Sequence, residues 1–169
     1  LKVLKRQLEG GPLDYISADY LAEITMSILK KQQNRNPELG YVTDFVDQIE
    51  ESAELILNKH VCILSNAGGI NPEGCAREIQ RRLKKKGIQL KIAVIEGDNI
   101  TDRLADWYPE KEQLSNMETG ESFDSVKDKI QSANAYLGIP PLLKALEANP
   151  DIIIAGRVTD TSITMAPMI

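Results

Sequence analysis

A chain of 169 residues with a net charge of −5 has room for one domain with a sizeable core. Its acidity argues against nucleic acid or an anionic membrane as main partner, since both demand a basic surface. With 42% hydrophobic and 27% charged residues the composition is that of an ordinary globular protein, and no apolar run approaches a membrane span.

Leu1 to Leu8 carries apolar residues at helical spacing and stops at Gly10-Gly11-Pro12. A short strand is expected over 14–18, then a helix capped by Asp19 and running to Gln33, with Leu21, Ile24, Ile28 and Leu29 as its apolar face. Asn34 to Tyr41 reads as a loop. Thr43 is expected to cap a helix to about Leu57, with Asp44 and Asp47 complementing its dipole and Val46, Ile49, Ala53 and Ile56 facing inward.

The chain turns on the stretch Val61 to Pro72. Val61 to Leu64 reads as a strand buried on both faces, and Ser65-Asn66-Ala67-Gly68-Gly69 breaks it. Asn71 followed by Pro72 is a helix start, Asn as cap and Pro in the first turn. Strand, glycine turn and helix N-terminus in that order suit a phosphate or carboxylate. A tight turn that holds no ligand is the other reading.

The helix from Pro72 to Lys86 packs through Ala76, Ile79 and Leu83, and Lys84-Lys85-Lys86 before Gly87 reads as a solvated helix end. Leu90 to Ile95 is another strand, followed by Glu96-Gly97-Asp98-Asn99. The pattern loosens over 101–130, which reads as a small irregular insertion: a short helix over Thr101–Tyr108, and a hairpin tip at Thr119-Gly120 between strands around Leu114–Met117 and Ser122–Phe123. A strand is expected over 132–136, a helix from Pro140 to Ala148, and the clearest strand of all over 151–155. Gly156-Arg157-Val158-Thr159-Asp160 then turns into a helix containing Ile163, Met165 and Ala166.

Alternating strands and helices predict an α/β fold: a mostly parallel, Rossmann-like, doubly wound sheet with helices on both faces, one domain over 1–169. Ligands of such sheets sit beyond the carboxyl ends of the strands. Those ends hold Ser17, Asp19 and Glu23; Asn66, Gly68 and Gly69; Glu96 and Asp98; Asn134 and Tyr136; and Gly156, Arg157 and Asp160. The candidate ligand-binding residues are therefore Asn66, Gly68, Gly69, Asn71, Asn134, Tyr136, Gly156 and Thr159. Arg157 is suited to clamping a carboxylate or phosphate, unless it merely pairs with Asp160 to fix the turn. Glu96 and Asp98 are candidates for general acid or base or for holding a divalent ion, unless they are simply solvated loop acids. These four, Glu96, Asp98, Arg157 and Asp160, form the candidate catalytic set.

Several chemistries find no support. Asn66-Ala67-Gly68 is shared with short-chain dehydrogenases, but there is no Gly-x-x-x-Gly-x-Gly and no Tyr-x-x-x-Lys, since Pro140 stands four places after Tyr136. The lysine phosphate loop and the glycine-flanked serine elbow are missing too. One histidine, His60, argues against a catalytic triad or a histidine-rich metal site and reads as a surface or capping residue. Cys62, in the buried strand, reads as inert packing, and with only Cys75 beside it the chain suits a reducing compartment.

Four stretches in order resemble the acyclic terpene utilisation (AtuA-type) family: Asp14-Tyr15 with Leu21-Ala22-Glu23; Asn66 to Pro72; Ser132-Ala133-Asn134-Ala135-Tyr136-Leu137-Gly138; and Gly156 to Asp160. The resemblance covers essentially the whole chain, which is expected to be a piece of a longer domain. It implies a cytoplasmic catabolic protein handling a branched acyl-CoA or related small acid, as an enzyme of lyase or hydrolase type. The alternative it leaves open is a ligand-binding or scaffolding subunit beside an acyl-CoA carboxylase. The sequence assigns no particular cofactor and no metal ligand, and the resemblance is compatible with a homo-oligomer or a carboxylase-pathway partner.

Overall fold

Four short strands, each sending alternate side chains into two apolar layers, form the centre of the molecule. A computed structural model describes residues 2–104 and 115–169. In chain order the elements are α1 (Val3–Glu9), β1 (Tyr15–Ala18), α2 (Glu23–Arg35), α3 (Thr43–Lys59), β2 (Cys62–Ser65), α4 (Pro72–Lys85), β3 (Ile92–Ile95), α5 (Pro140–Leu146), β4 (Ile152–Ala155) and α6 (Ser162–Met165). The sheet is parallel throughout, in the order β1-β2-β4-β3, with Ser17 opposite Leu64, Leu64 opposite Ile153 and Val94 opposite Ile154.

The period-two alternation of a strand divides the core. Ile16, Ile63, Ile152 and Ile154 face the layer built by α1, α3 and α4, through residues such as Leu8, Phe45, Ile49, Ile56, Cys75 and Ile79. Cys62, Leu64, Ile153 and Ala155 face the other way, onto Leu142 of α5 and Ile163 of α6. β2 and β4 are buried on both faces. Each fully buried Leu or Ile there contributes roughly 1.5–3 kcal/mol. The inner stripe of α3 is buried as its spacing predicts, at Val46, Ile49, Ala53 and Ile56. Both cysteines are buried and free, and burial pushes each thiol up to about 12.

The order of the strands positions the site. The crossovers from β1 to β2 and from β2 to β3 run over one face, through α3 and α4. The chain then doubles back from β3 to β4 over the other face, through α5. Neighbours β2 and β4 therefore send their chains to opposite faces, α4 to one and α6 to the other. In open α/β sheets that reversal opens the crevice in which ligands bind.

Some expectations are corrected. No strand forms over 132–136; the segment makes only isolated bridges, Asn99 to Asn134 and Leu137 to Val158. Its alanines and asparagine have low strand propensity, and its polar groups find other partners. Asp19 does not cap α2, which starts at Glu23 after Ala22; its Oδ1 accepts instead from the Leu21 N–H and from Asn66. Leu21 and Leu29 of the expected apolar face are buried, together with Met26, while Ile24 and Ile28 lie exposed. Thr43 is the first helical residue of α3 rather than its cap.

The insertion also differs from expectation. Thr101–Arg103 is a single 3₁₀ turn, and the remainder of the short helix expected over Thr101–Tyr108 extends beyond the described residues. Among the described residues around Thr119-Gly120 there are no strands; Leu114 lies outside them. The Asn116 side chain accepts from the Glu118 and Thr119 N–H groups, and Gly120, at φ +72°, donates back to Asn116. Phe123 opens a further 3₁₀ turn. His60 is a helix cap, exposed and left-handed at φ 55°.

Candidate functional site

The Asn66–Pro72 turn is built to pack. Gly68 donates to the Ala155 carbonyl at 3.1 Å, and a Cβ on it would stand 2.6 Å from that oxygen. Gly69 sits at φ +55°, where a Cβ would meet Leu29 Cδ1 at 2.3 Å. Its N–H donates to the Asn66 carbonyl, that of Ile70 to Gly40, and that of Asn71 to Gly68. Asn71 caps α4 by accepting from the Gly74 N–H at 2.9 Å, while its Nδ2 donates to the Leu39 carbonyl at 3.0 Å. Asn66 is fully buried, accepting from the Tyr20 N–H at 2.8 Å and donating to Asp19 at 2.6 Å. The donors that could cradle an anion at this turn are thus engaged within the fold.

A second group of residues gathers over the ends of β3 and β4. Asp98 is 3% exposed, and its Oδ2 accepts at 2.8 Å from both the Arg157 N–H and Asn134 Nδ2. Its carbonyl accepts from the Ala135 N–H at 2.7 Å. Gly156 lies so close that a Cβ there would meet the Asp98 carboxylate oxygens at 2.5 and 2.6 Å. Asp98 therefore fastens two things to the end of β3: the 131–137 segment and the turn after β4. Leu137 completes the attachment, donating to the Arg157 carbonyl at 3.2 Å and accepting from the Thr159 N–H at 2.9 Å.

Held in this way, Arg157 points back across the sheet. Its residue exposure is 5%. Nη1 donates to the Leu21 carbonyl at 2.6 Å, and Nη2 donates to the Tyr136 hydroxyl and lies 3.2 Å from Glu23 Oε1. The guanidinium carbon stands 4.2 Å from the centre of the Tyr136 ring, a cation–π distance. The Tyr136 hydroxyl in turn donates to Glu23. Tyr136 is half exposed, and the Glu23 side chain is 81% exposed. The hydrogen bond from Tyr136 is the first cause, ahead of Glu23's own backbone N–H and the charge of Arg157, that holds Glu23 below the usual carboxylate range. Glu23 opens α2, whose N-cap Ala22 offers no side-chain acceptor.

Of the residues named from sequence, the structure gathers Asp98, Asn134, Tyr136, Gly156 and Arg157. Asn66, Gly68, Gly69 and Asn71 lie in the neighbouring turn. Thr159 shares a hydrogen bond with Ser162 at the start of α6. Among the described residues Glu96, exposed at the end of β3, has no hydrogen bond or ion pair to this group. Asp160 is exposed too, and acts on Arg157 only through space; the ion pair of Arg157 is with Glu23.

Glu23 is thus the residue that the candidate set missed. Its position beyond β1 was readable, but nothing local linked it to Arg157, 134 positions away. Clefts of about 470 Å³ beside Gln80, Leu83, Lys84 and Ile88, and of about 340 Å³ beside Asp14, His60 and Asp151, lie at the amino ends of the strands. They are away from the end at which parallel sheets bind ligands. Among the described residues no cluster of three or more His, Cys, Asp or Glu is placed to hold a metal ion, and no helix is long and apolar enough to cross a membrane.

An all-parallel sheet with a polar cluster beside its switch point defines a Rossmann-like α/β protein. The sequence profile described as acyclic terpene utilisation family protein AtuA matches residues 1–169, the whole chain, and the chain belongs to that family. A search of curated proteins gave no match, and a search of solved structures gave none.

Proposed function

We propose that this protein serves acyclic terpene utilisation by acting on a branched carboxylic acid or its acyl-CoA thioester, as a lyase or hydrolase in the cytoplasm. One observation carries the reading. A buried guanidinium at the carboxyl end of the sheet turns one nitrogen toward two exposed residues, meeting the Tyr136 hydroxyl and the Glu23 carboxylate. Arg157 suits the negative charge of a carboxylate, or the charge that develops on a thioester oxygen. Tyr136, between a cation and a carboxylate, suits the transfer of a proton. Asp98 and Asn134 hold the two in place rather than meeting substrate.

A ligand-holding subunit beside a carboxylase is the second reading. It is favoured by the extent to which Asp98 and Asn66 spend their hydrogen bonds on the fold. Titrating the full chain with 3-methylbutanoyl-CoA and with 3-methylbutanoate tests binding. Arg157→Lys, checked for folding by circular dichroism, is expected to weaken it at least about tenfold, because a single ammonium cannot hold the Leu21 carbonyl and also reach the ligand as the two guanidinium nitrogens do. Tyr136→Phe, which removes the hydroxyl beside Arg157, is expected to weaken binding by roughly three- to tenfold and to lower turnover about a hundredfold or more. Binding without turnover in the wild type selects the holding role, and no binding of either probe refutes both readings.

A further inference from the structure

The Arg157 site already contains a carboxylate, and the geometry points to Glu23 as a built-in stand-in that the substrate's anionic group displaces. This rests on the reading that Arg157 receives that group. The two ends of the Arg157–Glu23 pair are held in opposite ways. Arg157 is anchored by its own N–H on Asp98, by Nη1 on the Leu21 carbonyl and by the ring of Tyr136, and its side chain is 6% exposed. The Glu23 side chain is 81% exposed. Its side-chain hydrogen bonds to other residues are to Arg157 and Tyr136, the two groups that would greet a substrate carboxylate.

The cation is therefore fixed and the anion free to swing out. When Glu23 leaves, Arg157 Nη2 and the Tyr136 hydroxyl present two donors side by side, the pattern a carboxylate accepts. The first turn of α2 lies beside them without a side-chain cap, and its dipole favours negative charge there. Burying a guanidinium with no anion would be costly, so a resting counter-ion keeps the empty site folded. Substrate binding then exchanges one carboxylate for another and changes no net charge in the buried part of the site. It also frees the Glu23 carboxylate at the rim, within a side chain's reach of Tyr136.

The consequence is a competition within the chain. A ligand sees only the fraction of molecules in which Glu23 has released Arg157, and its apparent affinity is lowered by that fraction. Removing the charge of Glu23 is expected to raise affinity for a free carboxylate by roughly five- to tenfold. Isothermal titration of the full-length chain with 3-methylbutanoate, comparing wild type, Glu23→Gln and Arg157→Lys, reads this directly. Support is tighter binding by Glu23→Gln with binding lost in Arg157→Lys. If the wild type binds through Arg157 but Glu23→Gln binds equally or more weakly, the stand-in role is overturned and the site reading survives. A drop in the melting temperature of Glu23→Gln with no gain in affinity makes Glu23 a strut and overturns it as well. Binding in none of the three, with 3-methylbutanoyl-CoA also failing, removes the site reading and the stand-in with it.

Discussion

Replacing Gly156 by Ala is a small change in volume with an expected effect out of proportion to it. Gly156 has no left-handed backbone angle, so alanine brings no conformational strain of its own. The added methyl would stand 2.5, 2.6 and 2.7 Å from Oδ1, Oδ2 and Cγ of Asp98. Relief requires the carboxylate to retreat by roughly 1 Å to an ordinary contact of about 3.5 Å. A retreat of that size stretches its two 2.8 Å hydrogen bonds, from the Arg157 N–H and from Asn134, to breaking. Hydrogen bonds to a charged group are worth about 1.5–3 kcal/mol each, partly recovered by relaxation and by the stiffer unfolded chain. A net loss of about 3 kcal/mol is expected, roughly 6–12 °C in melting temperature for a chain of this size. Urea denaturation of wild type, Gly156→Ala, Asp98→Ala and the double variant gives a cycle. With Asp98 already shortened the methyl has room, so the Gly156→Ala step should fall below about 1 kcal/mol. An equal cost in both backgrounds would refute the account of Gly156 as the space that Asp98 needs.

Gly69→Val is expected to cost roughly 3–5 kcal/mol in the same assay, since it puts a β-branched residue at φ +55° and drives Cβ to within 2.3 Å of Leu29; an unchanged midpoint would show that the turn is looser than drawn. Glu78 accepts at 2.7 Å from Arg81 and from Arg82, and the Arg81 hydrogen bonds chiefly hold its carboxyl down at about 2. A depressed carboxyl contributes stability that is fully present above its unfolded value near 4.5 and disappears as pH falls toward about 2. Discounted for solvent screening, that contribution is about 1 kcal/mol, and Glu78→Gln should flatten the acid limb of stability between those values; an identical limb would remove Glu78 from the account.

How much of this was legible beforehand follows the range of the forces. Strands β2 and β4 announce themselves as apolar runs, and the alternation of elements dictates a parallel sheet. The Asn71 cap and the stripe of α3 need only local spacing, and they are found where spacing puts them. The segment around Asn134 reads as a strand because its neighbours on both sides alternate. It fails to be one because Asp98 supplies the hydrogen bonds that a sheet partner would otherwise give. Ile24 and Ile28 share the spacing of a buried face, yet the face is chosen by the entry angle of α2. The chain just before α2 is tied down by Asp19 accepting from Asn66, 47 positions away. The Arg157–Glu23 pair is the extreme case: each residue was visible at a strand end, and only the strand order β1-β2-β4-β3 brings the ends together.

That strand order also explains why the carboxyl end of this sheet carries so much polar chemistry. In open α/β sheets a reversal such as that at β2/β4 is where a crevice forms, because the two chains leave toward opposite faces. Here Gly68 closes its floor by approaching the Ala155 carbonyl, closer than any side chain would allow, and Arg157 spans its roof to reach Leu21. Glycines at 68, 69 and 156 and buried polar groups at 66, 98 and 157 belong to one device. The glycines let backbone and carboxylate approach, and the polar groups hydrogen-bond what the approach brings together. A site made this way is filled by the protein's own groups before any ligand arrives. On the reading proposed above, binding proceeds by exchange, and the group free to be exchanged is the exposed carboxylate of Glu23.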